Sequence, residues 1–181
     1  MKNILIIGAN GFTGRRILND LSVNPIYHVT GCSLRDDICP GKDYRFVRTD
    51  IRDKNEVRKL FKECRPDIVI NTSALSVPDY CETHHAEAEA TNVTAVETIA
   101  HVCEQYGSRF IHLSTDFVFD GKSTRLYKEE DEAIPVNYYG VTKLKAEKII
   151  ASICSNYAIV RVVVVYGKAL PGPVSYTHLR A

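Results

Sequence analysis

Six short apolar runs, rich in valine and isoleucine, recur along the 181-residue chain and constrain its fold more than any other feature. Most of them are apolar on both faces, as strands at the centre of a parallel sheet are, rather than alternating as half-exposed hairpin strands do. The runs are residues 3–8, 27–33, 44–49, 67–73, 109–115 and 157–167. They predict a sheet that is covered on both sides.

Helical patterns separate most of these runs. The second of them begins at Asp53, a residue type that caps helix N-termini, and has Val57 and Leu60 on one stripe. The patterns cover residues 14–22, 53–64, 83–105 and 138–153. This alternation of strands and helices predicts an α/β fold, a Rossmann-like doubly wound parallel sheet with helices on both faces.

Charge and cysteine content argue against several classes of protein. The 23 Lys and Arg residues against 22 Asp and Glu give a net charge of +1, so we expect no nucleic-acid partner and no membrane partner. The six cysteines include no C-x-x-C pair, so we expect free thiols and no metal site. The first apolar run is too short for a signal peptide, and no run reaches the ~18 residues of a membrane span. We therefore expect a cytoplasmic protein.

The first apolar run leads into a glycine-rich turn, ILIIGANGFTG, which carries Gly8, Gly11 and Gly14 at the start of a helix. Glycine permits a tight turn, the approach of the main chain to a pyrophosphate, and close packing of helix on strand. Free N–H groups at the helix N-terminus then bind the phosphates. We predict a dinucleotide site at this turn, to which Asn10 and Phe12 also contribute.

The end of the second run indicates which dinucleotide binds. An NAD site usually has Asp or Glu there, to bind the adenosine ribose 2′-hydroxyl. This chain has Ser33 at that place and Arg35 two residues later, and a hydroxyl with a guanidinium suits a 2′-phosphate. We predict NADP(H) as the cofactor, with NAD(H) as the alternative because Asp36 and Asp37 are close by.

The third run is followed by TDIRD, which supplies Asp50 and Ile51. A carboxylate at this place suits the adenine amino group as a hydrogen-bond acceptor. We include both residues in the predicted cofactor site.

Two tyrosines and three lysines lie close together in the stretch NYYGVTKLKAEK. Residues four apart share a helix face, and Tyr139 and Lys143 have this spacing, whereas Tyr138 has no lysine partner. A tyrosine with an ordinary pKa of about 10 is a reluctant acid at neutral pH, and a neighbouring ammonium lowers that pKa. The spacing singles out Tyr139 as a proton donor with Lys143 as its partner.

Four motifs of the chain together resemble those of the extended short-chain dehydrogenase/reductases, over residues 2 to about 167. Within that superfamily the chain is most similar to the dTDP-4-dehydrorhamnose reductases, through NTSALSVPDYCE, HLSTDFVFDG and YKEEDEAIPVNYYGVTKLKAE. It departs from their pattern at Ser73, Pro78 and Phe117, and Phe117 replaces a tyrosine near the substrate. The four motifs are the glycine turn at 8–14, NTSA at 71–74, LSTD at 113–116 and YGVTK at 139–143.

The resemblance implies an NADPH-dependent reductase of a nucleotide-linked 4-keto-6-deoxysugar in dTDP-rhamnose biosynthesis. Thr115 would hydrogen-bond the substrate carbonyl, and Asp116 would also contact the nucleotide-sugar substrate. Tyr139 and Lys143 would carry the proton transfer and touch the cofactor. Three residues after the fourth strand would line the cofactor site: Ala74, Leu75 and Ser76.

Several alternatives remain open at this stage. The regulatory subunits of methionine adenosyltransferase share the scaffold and would bind NADP without catalysis, and nucleotide-sugar epimerases reuse the same tyrosine and lysine. A dehydratase is disfavoured, because Phe117 stands where elimination needs a glutamate. Asn92 either shapes the active-site backbone or is an exposed helix residue. Arg161 either supports the substrate site or forms a salt bridge.

The resemblance also divides the chain into domains. Residues 1–168 are expected to form an NAD(P)-binding Rossmann domain. Residues 169–181 contain two prolines and a glycine and lead to no further helix, so we expect an irregular or foreign tail. The C-terminal substrate-binding segment of the family would then be missing. A homodimer is left open.

Overall fold

The computed structural model describes residues 1–38 and 43–167. Six parallel strands form one sheet in the order β3-β2-β1-β4-β5-β6. The strands are β1 Lys2–Ile7, β2 Tyr27–Ser33, β3 Arg45–Arg48, β4 Ile68–Asn71, β5 Arg109–Thr115 and β6 Tyr157–Val162. The predicted α/β class and Rossmann-like parallel sheet are confirmed.

Helical segments alternate with these strands. They are α1 Phe12–Ser22, α2 Lys54–Cys64, α3 Pro78–Thr83, α4 His85–Glu89, a π-helical turn Ala90–Thr94, α5 Ala95–Tyr106, a 3₁₀ turn Asp116–Val118 and α6 Tyr138–Ile153. Helix α2 begins as predicted, because the Asp53 carboxylate accepts hydrogen bonds from the backbone N–H groups of Asn55 and Glu56 at 2.7 and 3.3 Å. Within the described residues no helix is both long and apolar enough to cross a membrane.

The hydrophobic core lies in two layers, one on each face of the sheet. Leu5 and Ile7 of β1 belong to the layer that α2, α5 and α6 cover, whereas Ile4 and Ile6 belong to the layer under α1. Successive side chains of a strand point to opposite faces, so a strand at the centre of the sheet must be apolar at every position. This explains why the first run does not alternate.

The largest differences from the sequence-based expectation lie in three places. The helical pattern predicted over 83–105 is present as α4, the π turn and α5, but the π turn inside it was not predicted, and Asn92 of that turn is buried. Helix α3 was not predicted, although Pro78 at its first position is typical of a helix start. Strand β6 ends at Val162 rather than at residue 167. The predicted tail 169–181 lies outside the described residues.

The strand order places a crevice between β1 and β4. The chain builds β1, β2 and β3 outward in one direction and then crosses to β4 on the other side of β1. Ligands of open parallel sheets bind at such a point, outside the carboxyl ends of the strands. Here the two ends that meet carry the glycine turn after Ile7 and the NTSA segment after Ile70.

Candidate active site

The glycine turn packs directly against the segment that follows β4. Gly8 has a φ of +82°, and a Cβ at this residue would lie 2.8 Å from the backbone nitrogen of Ser73. A Cβ on Gly14 would lie 2.3 Å from the carbonyl oxygen of Gly8. Gly11 caps α1 without any side-chain hydrogen bond, so within residues 1–38 and 43–167 no side chain caps the amides of the first turn. Backbone donors are therefore presented to the crevice, as the sequence predicts.

Asn10 joins this turn to the loop that follows β2. Its amide nitrogen donates to the carbonyl oxygens of Arg35 and Asp36 at 3.2 and 2.9 Å. Its amide oxygen accepts from the guanidinium of Arg15, which is only 3% exposed. The loop that carries Arg35 is thus fixed by a residue of the glycine turn.

Arg15 also engages Asp37, one of the two acids considered for the ribose. The guanidinium lies 2.8 Å from the Asp37 carboxylate and donates to the Tyr44 hydroxyl at 2.8 Å. The Tyr44 hydroxyl in turn donates to Asp37 at 2.8 Å, and burial raises the pKa of Tyr44 to about 12. Ser33, at the end of β2, is half-buried, and Arg35, in the loop that follows, is exposed. Sequence reasoning missed Arg15, whose only signal is a cation immediately after the third glycine.

The predicted adenine contacts, Asp50 and Ile51, follow β3. The Asp50 carboxylate accepts from the backbone N–H of Arg52 at 3.0 Å and from its guanidinium Nε at 2.9 Å. This hydrogen bonding lowers the pKa of Asp50. Ile51 is partly buried against the main core layer.

Asn92 holds the loop that contains Ala74, Leu75 and Ser76. From the π turn its amide oxygen accepts from Leu75 N at 2.8 Å, and its amide nitrogen donates to Leu75 O at 3.1 Å and to Thr142 Oγ1 at 3.0 Å. Asn92 is 1% exposed, which answers the question left open by the sequence. It shapes the backbone of the site and is not a surface residue.

Helix α6 brings the predicted proton donor to the end of β5. The Asn137 side chain caps the helix by accepting from Gly140 N at 2.7 Å. Gly140 lets the helix approach the 3₁₀ turn, since a Cβ there would lie 2.2 Å from the Phe117 carbonyl oxygen. Tyr139 is 8% exposed and packs in a small cluster with Cys81 and Leu75.

Thr115 lies next to the Tyr139 phenol at the carboxyl end of β5. Burial raises the pKa of Tyr139 to about 12, with a further increase from Cys81, while a hydrogen bond with Thr115 opposes the increase. The Thr115 hydroxyl also donates to the Asp116 carboxylate at 3.1 Å and accepts from Phe117 N at 3.2 Å. The structure thus brings Thr115, Asp116 and Tyr139 together as the sequence predicts.

Lys143 shares the buried face of α6 with Tyr139, but its amine points towards β5. Its Nζ donates to Leu113 O at 2.6 Å and lies 2.9 Å from His112 Nε2. Among the described residues these two groups, and not the Tyr139 hydroxyl, are its hydrogen-bond partners. Burial lowers the pKa of Lys143 to about 7, against a smaller opposing effect of Glu147.

Glu147, one turn further along α6, is buried and forms an ion pair with the partly exposed Arg161 of β6. The two side chains approach to 2.7 Å, and the Ser114 hydroxyl also donates to the Glu147 carboxylate. The guanidinium further stacks over the Phe119 ring at 5.0 Å. The sequence left two roles open for Arg161, and the structure shows the salt bridge.

The fold and this arrangement of residues define the chain as a Rossmann-like α/β protein with the motif set of the extended short-chain dehydrogenase/reductases. The model of the RmlD substrate binding domain matches residues 1–176, and the chain belongs to this family.

Two curated relatives illustrate the range of the family. The chain is 32% identical over 167 residues to methionine adenosyltransferase 2 subunit beta of Bos taurus, covering 92% of this chain and 48% of the relative. It is 35% identical over 162 residues to "Probable low-salt glycan biosynthesis reductase Agl14" of Haloferax volcanii, covering 90% of this chain and 53% of the relative. The chain therefore spans about half the length of the curated relatives that it matches.

Solved structures of dTDP-4-dehydrorhamnose reductases share the fold. The one from Clostridium acetobutylicum is 32% identical with a TM-score of 0.76, over 93% of this chain and 55% of that one. The one from Bacillus anthracis, solved in complex with NADP, is 25% identical with a TM-score of 0.78, over 96% of this chain and 57% of that one.

Proposed function

We propose that this chain carries the cofactor site and the proton-transfer residues of an NADPH-dependent reductase that acts on a nucleotide-linked 4-keto-6-deoxysugar, of the dTDP-4-dehydrorhamnose reductase type. The observation that carries the proposal is the buried set of Thr115, Tyr139 and Lys143 on β5 and α6, in the same parallel sheet as the glycine turn. An intact set of these three residues favours an enzyme over a dinucleotide-binding protein without catalysis. The solved reductase with bound NADP supports the choice of cofactor and substrate class.

The residues of the crevice fit a dinucleotide with a 2′-phosphate. A Cβ at Gly8 would clash with the NTSA segment, so glycine here lets the turn pack directly against that segment, and the amides at the start of α1 are the donors suited to a pyrophosphate. Asp37 is held by Arg15, which leaves its carboxylate engaged rather than free for a ribose hydroxyl. Ser33 and the exposed Arg35 then supply a hydroxyl and a forked cation for a phosphate. NADPH is therefore preferred over NADH.

When bound in the crevice, NADPH would be the source of the hydride for the carbonyl carbon of the sugar. Thr115 hydrogen-bonds the carbonyl oxygen, and Asp116 contacts the substrate next to it. Tyr139, whose raised pKa of about 12 keeps it protonated at neutral pH, donates its proton to that oxygen. The resulting phenolate needs a nearby positive charge, which Lys143 provides once its amine is protonated. Asn92 keeps the Leu75 loop in place beside these groups.

The test is oxidation of NADPH by the native protein that carries this chain, with dTDP-4-dehydrorhamnose as the oxidant and the reduced sugar identified as product. Stoichiometric formation of reduced sugar is expected. Binding of NADPH without any oxidation would instead favour a regulatory subunit, which the identity with methionine adenosyltransferase 2 subunit beta supports as the second candidate. Isomerisation of a nucleotide sugar without net consumption of NADPH would indicate an epimerase.

A further inference from the structure

A continuous chain of buried polar groups runs from the NTSA segment to Lys143. The Ser73 hydroxyl and backbone N–H both donate to Asn71 Oδ1, at 2.7 and 3.0 Å. Asn71 Nδ2 lies 3.1 Å from His112 Nδ1, and His112 Nε2 lies 2.9 Å from Lys143 Nζ. Asn71 and His112 are completely buried and Lys143 is 1% exposed. Each proton in this chain must therefore be matched to an acceptor inside the protein.

The orientation of the Asn71 amide follows from its neighbour. The backbone N–H of Ser73 can only donate, so the Asn71 atom 3.0 Å away is the amide oxygen. The amide nitrogen, which carries only donors, consequently faces His112 Nδ1. Nδ1 must then be the unprotonated nitrogen of the ring, and His112 is a neutral imidazole with its proton on Nε2.

This tautomer determines the state of Lys143. The Nε2–H of His112 points at Nζ of Lys143, and a donor needs a lone pair opposite it. A neutral amine has that lone pair and still donates to Leu113 O, whereas an ammonium has none. Burial acts in the same direction, because it lowers the pKa of Lys143 to about 7 and that of His112 well below its ordinary value.

We propose that His112 is a positioning residue for Lys143: it holds the lysine as a neutral amine turned towards β5, and uptake of one proton by the amine breaks the bond to His112 and releases the amine. The proton comes from solvent and adds to the Nζ lone pair, giving an ammonium. The imidazole keeps its Nε2 proton and its bond from Asn71. This proposal deepens the proposed function, since the released ammonium is the cation that the Tyr139 phenolate requires.

The charged and titratable groups around this pair are consistent with a lysine that titrates rather than one that is permanently paired. Glu147 acts on Lys143 from the same helix, but its carboxylate already binds Arg161 of β6. Cys81 of α3 and Asp116 of the 3₁₀ turn act on Tyr139. Among the described groups, the contacts of the amine itself are His112 and Leu113, so protonation removes one of two hydrogen bonds.

The test is NMR of the ¹⁵N- and ¹³C-labelled chain without cofactor or sugar, from about pH 6 to about pH 9. Long-range ¹H–¹⁵N spectra of the imidazoles are expected to show His112 as the neutral tautomer protonated at Nε2 throughout. The Lys143 side-chain resonances are expected to titrate, and the His112 Nε2 signal to shift with the same midpoint. The proposal is overturned if His112 is protonated at Nδ1, either as the other neutral tautomer or as an imidazolium. It is also overturned if the His112 Nε2 signal does not shift while Lys143 titrates.

A substitution provides a second readout. In His112→Gln the side-chain amide oxygen can accept from an ammonium, so the Lys143 midpoint is expected to rise by at least one pH unit. His101→Gln, which changes an exposed histidine of α5, is the matched control and should leave that midpoint unchanged. An unchanged midpoint in a folded His112→Gln contradicts the proposal, and if that variant does not fold, the tautomer of the wild-type chain decides. Neither measurement depends on reductase activity, so failure here is distinct from failure of the proposed function.

Discussion

Replacing Lys143 by methionine tests the claim that a buried, neutral lysine lies in this site. Methionine keeps an unbranched side chain of similar length but removes the amine. The folded-state pKa of Lys143 is lowered from 10.5 to about 7. Between these two values the unfolded chain holds more protons than the folded one, so the stability of the wild type rises with pH there. The free-energy cost of keeping Lys143 buried and neutral is fully present below about pH 7 and disappears as the pH approaches 10.5.

The linkage relation converts this difference into a measurable quantity. Between pH 7 and pH 9 the free energy of unfolding of the wild type should rise by about 2 kcal/mol relative to Lys143→Met. The loss of the hydrogen bonds of the neutral amine costs the variant ~1–3 kcal/mol, which is a constant offset between the two proteins. The part that depends on protonation, including release of the bond to His112, is already contained in the difference between the folded and unfolded pKa of Lys143. All other titrating groups are common to the two proteins. The change with pH in the difference between their free energies of unfolding therefore reports on Lys143 alone.

Urea unfolding followed by circular dichroism at a series of pH values measures this difference. Lys148→Met is the matched control, because Lys148 is exposed on the same helix and should give a difference independent of pH over this range. The reasoning is refuted if the free energies of unfolding of the wild type and of Lys143→Met differ by the same amount at pH 7 and at pH 9. Such a result would mean that the lysine is charged in the folded protein at both pH values.

Three further substitutions test the cofactor site and the loop beside it. Gly14→Ala places a methyl group 2.3 Å from Gly8 O, so NADPH binding measured by fluorescence should weaken at least about 10-fold. Arg35→Ala should weaken NADPH about 10- to 100-fold and leave NADH nearly unchanged in the same assay, and an equal loss for both would exclude the phosphate contact. Asn92→Ala leaves the backbone N–H of Leu75 without its partner and leaves Leu75 O with only the weak Cys81 Sγ donor at 3.4 Å. It should lower the free energy of unfolding by about 2 kcal/mol, whereas a change below about 1 kcal/mol would contradict its supporting role.

The fold was predictable because its main signals are local in sequence. A strand that is apolar on both faces, three glycines at the next turn, and an aspartate before a helical stripe each carry their meaning within a few residues. The same is true of Tyr139 and Lys143, since residues four apart on a helix must share a face. The fold signals and the shared buried face of α6 are found where they were predicted. Within the part of the chain that the structure describes, the predicted pairing of the Lys143 amine with Tyr139 is not found, because the amine bonds His112 and Leu113 instead.

The parts that were not predicted depend on residues distant in the chain. The π turn is stabilised by the hydrogen bonds of Asn92 to Leu75 and Thr142, which lie 17 and 50 residues away. Helical periodicity depends on neighbouring residues only and therefore does not predict these bonds. The direction of the Lys143 amine depends on His112, 31 residues earlier. The one visible signal of that contact was His112 itself, a polar residue between Ile111 and Leu113 of β5.

The most direct test of the proposed chemistry compares two variants that each lose one hydroxyl. In NADPH oxidation by the native protein with dTDP-4-dehydrorhamnose, Tyr139→Phe should lower kcat at least about 100-fold, because the proton donor is gone. Tyr138→Phe, whose hydroxyl instead donates to Glu89, should change kcat less than about threefold. Equal activity of the two variants, or full activity of Tyr139→Phe, would contradict the assignment of Tyr139 as the acid.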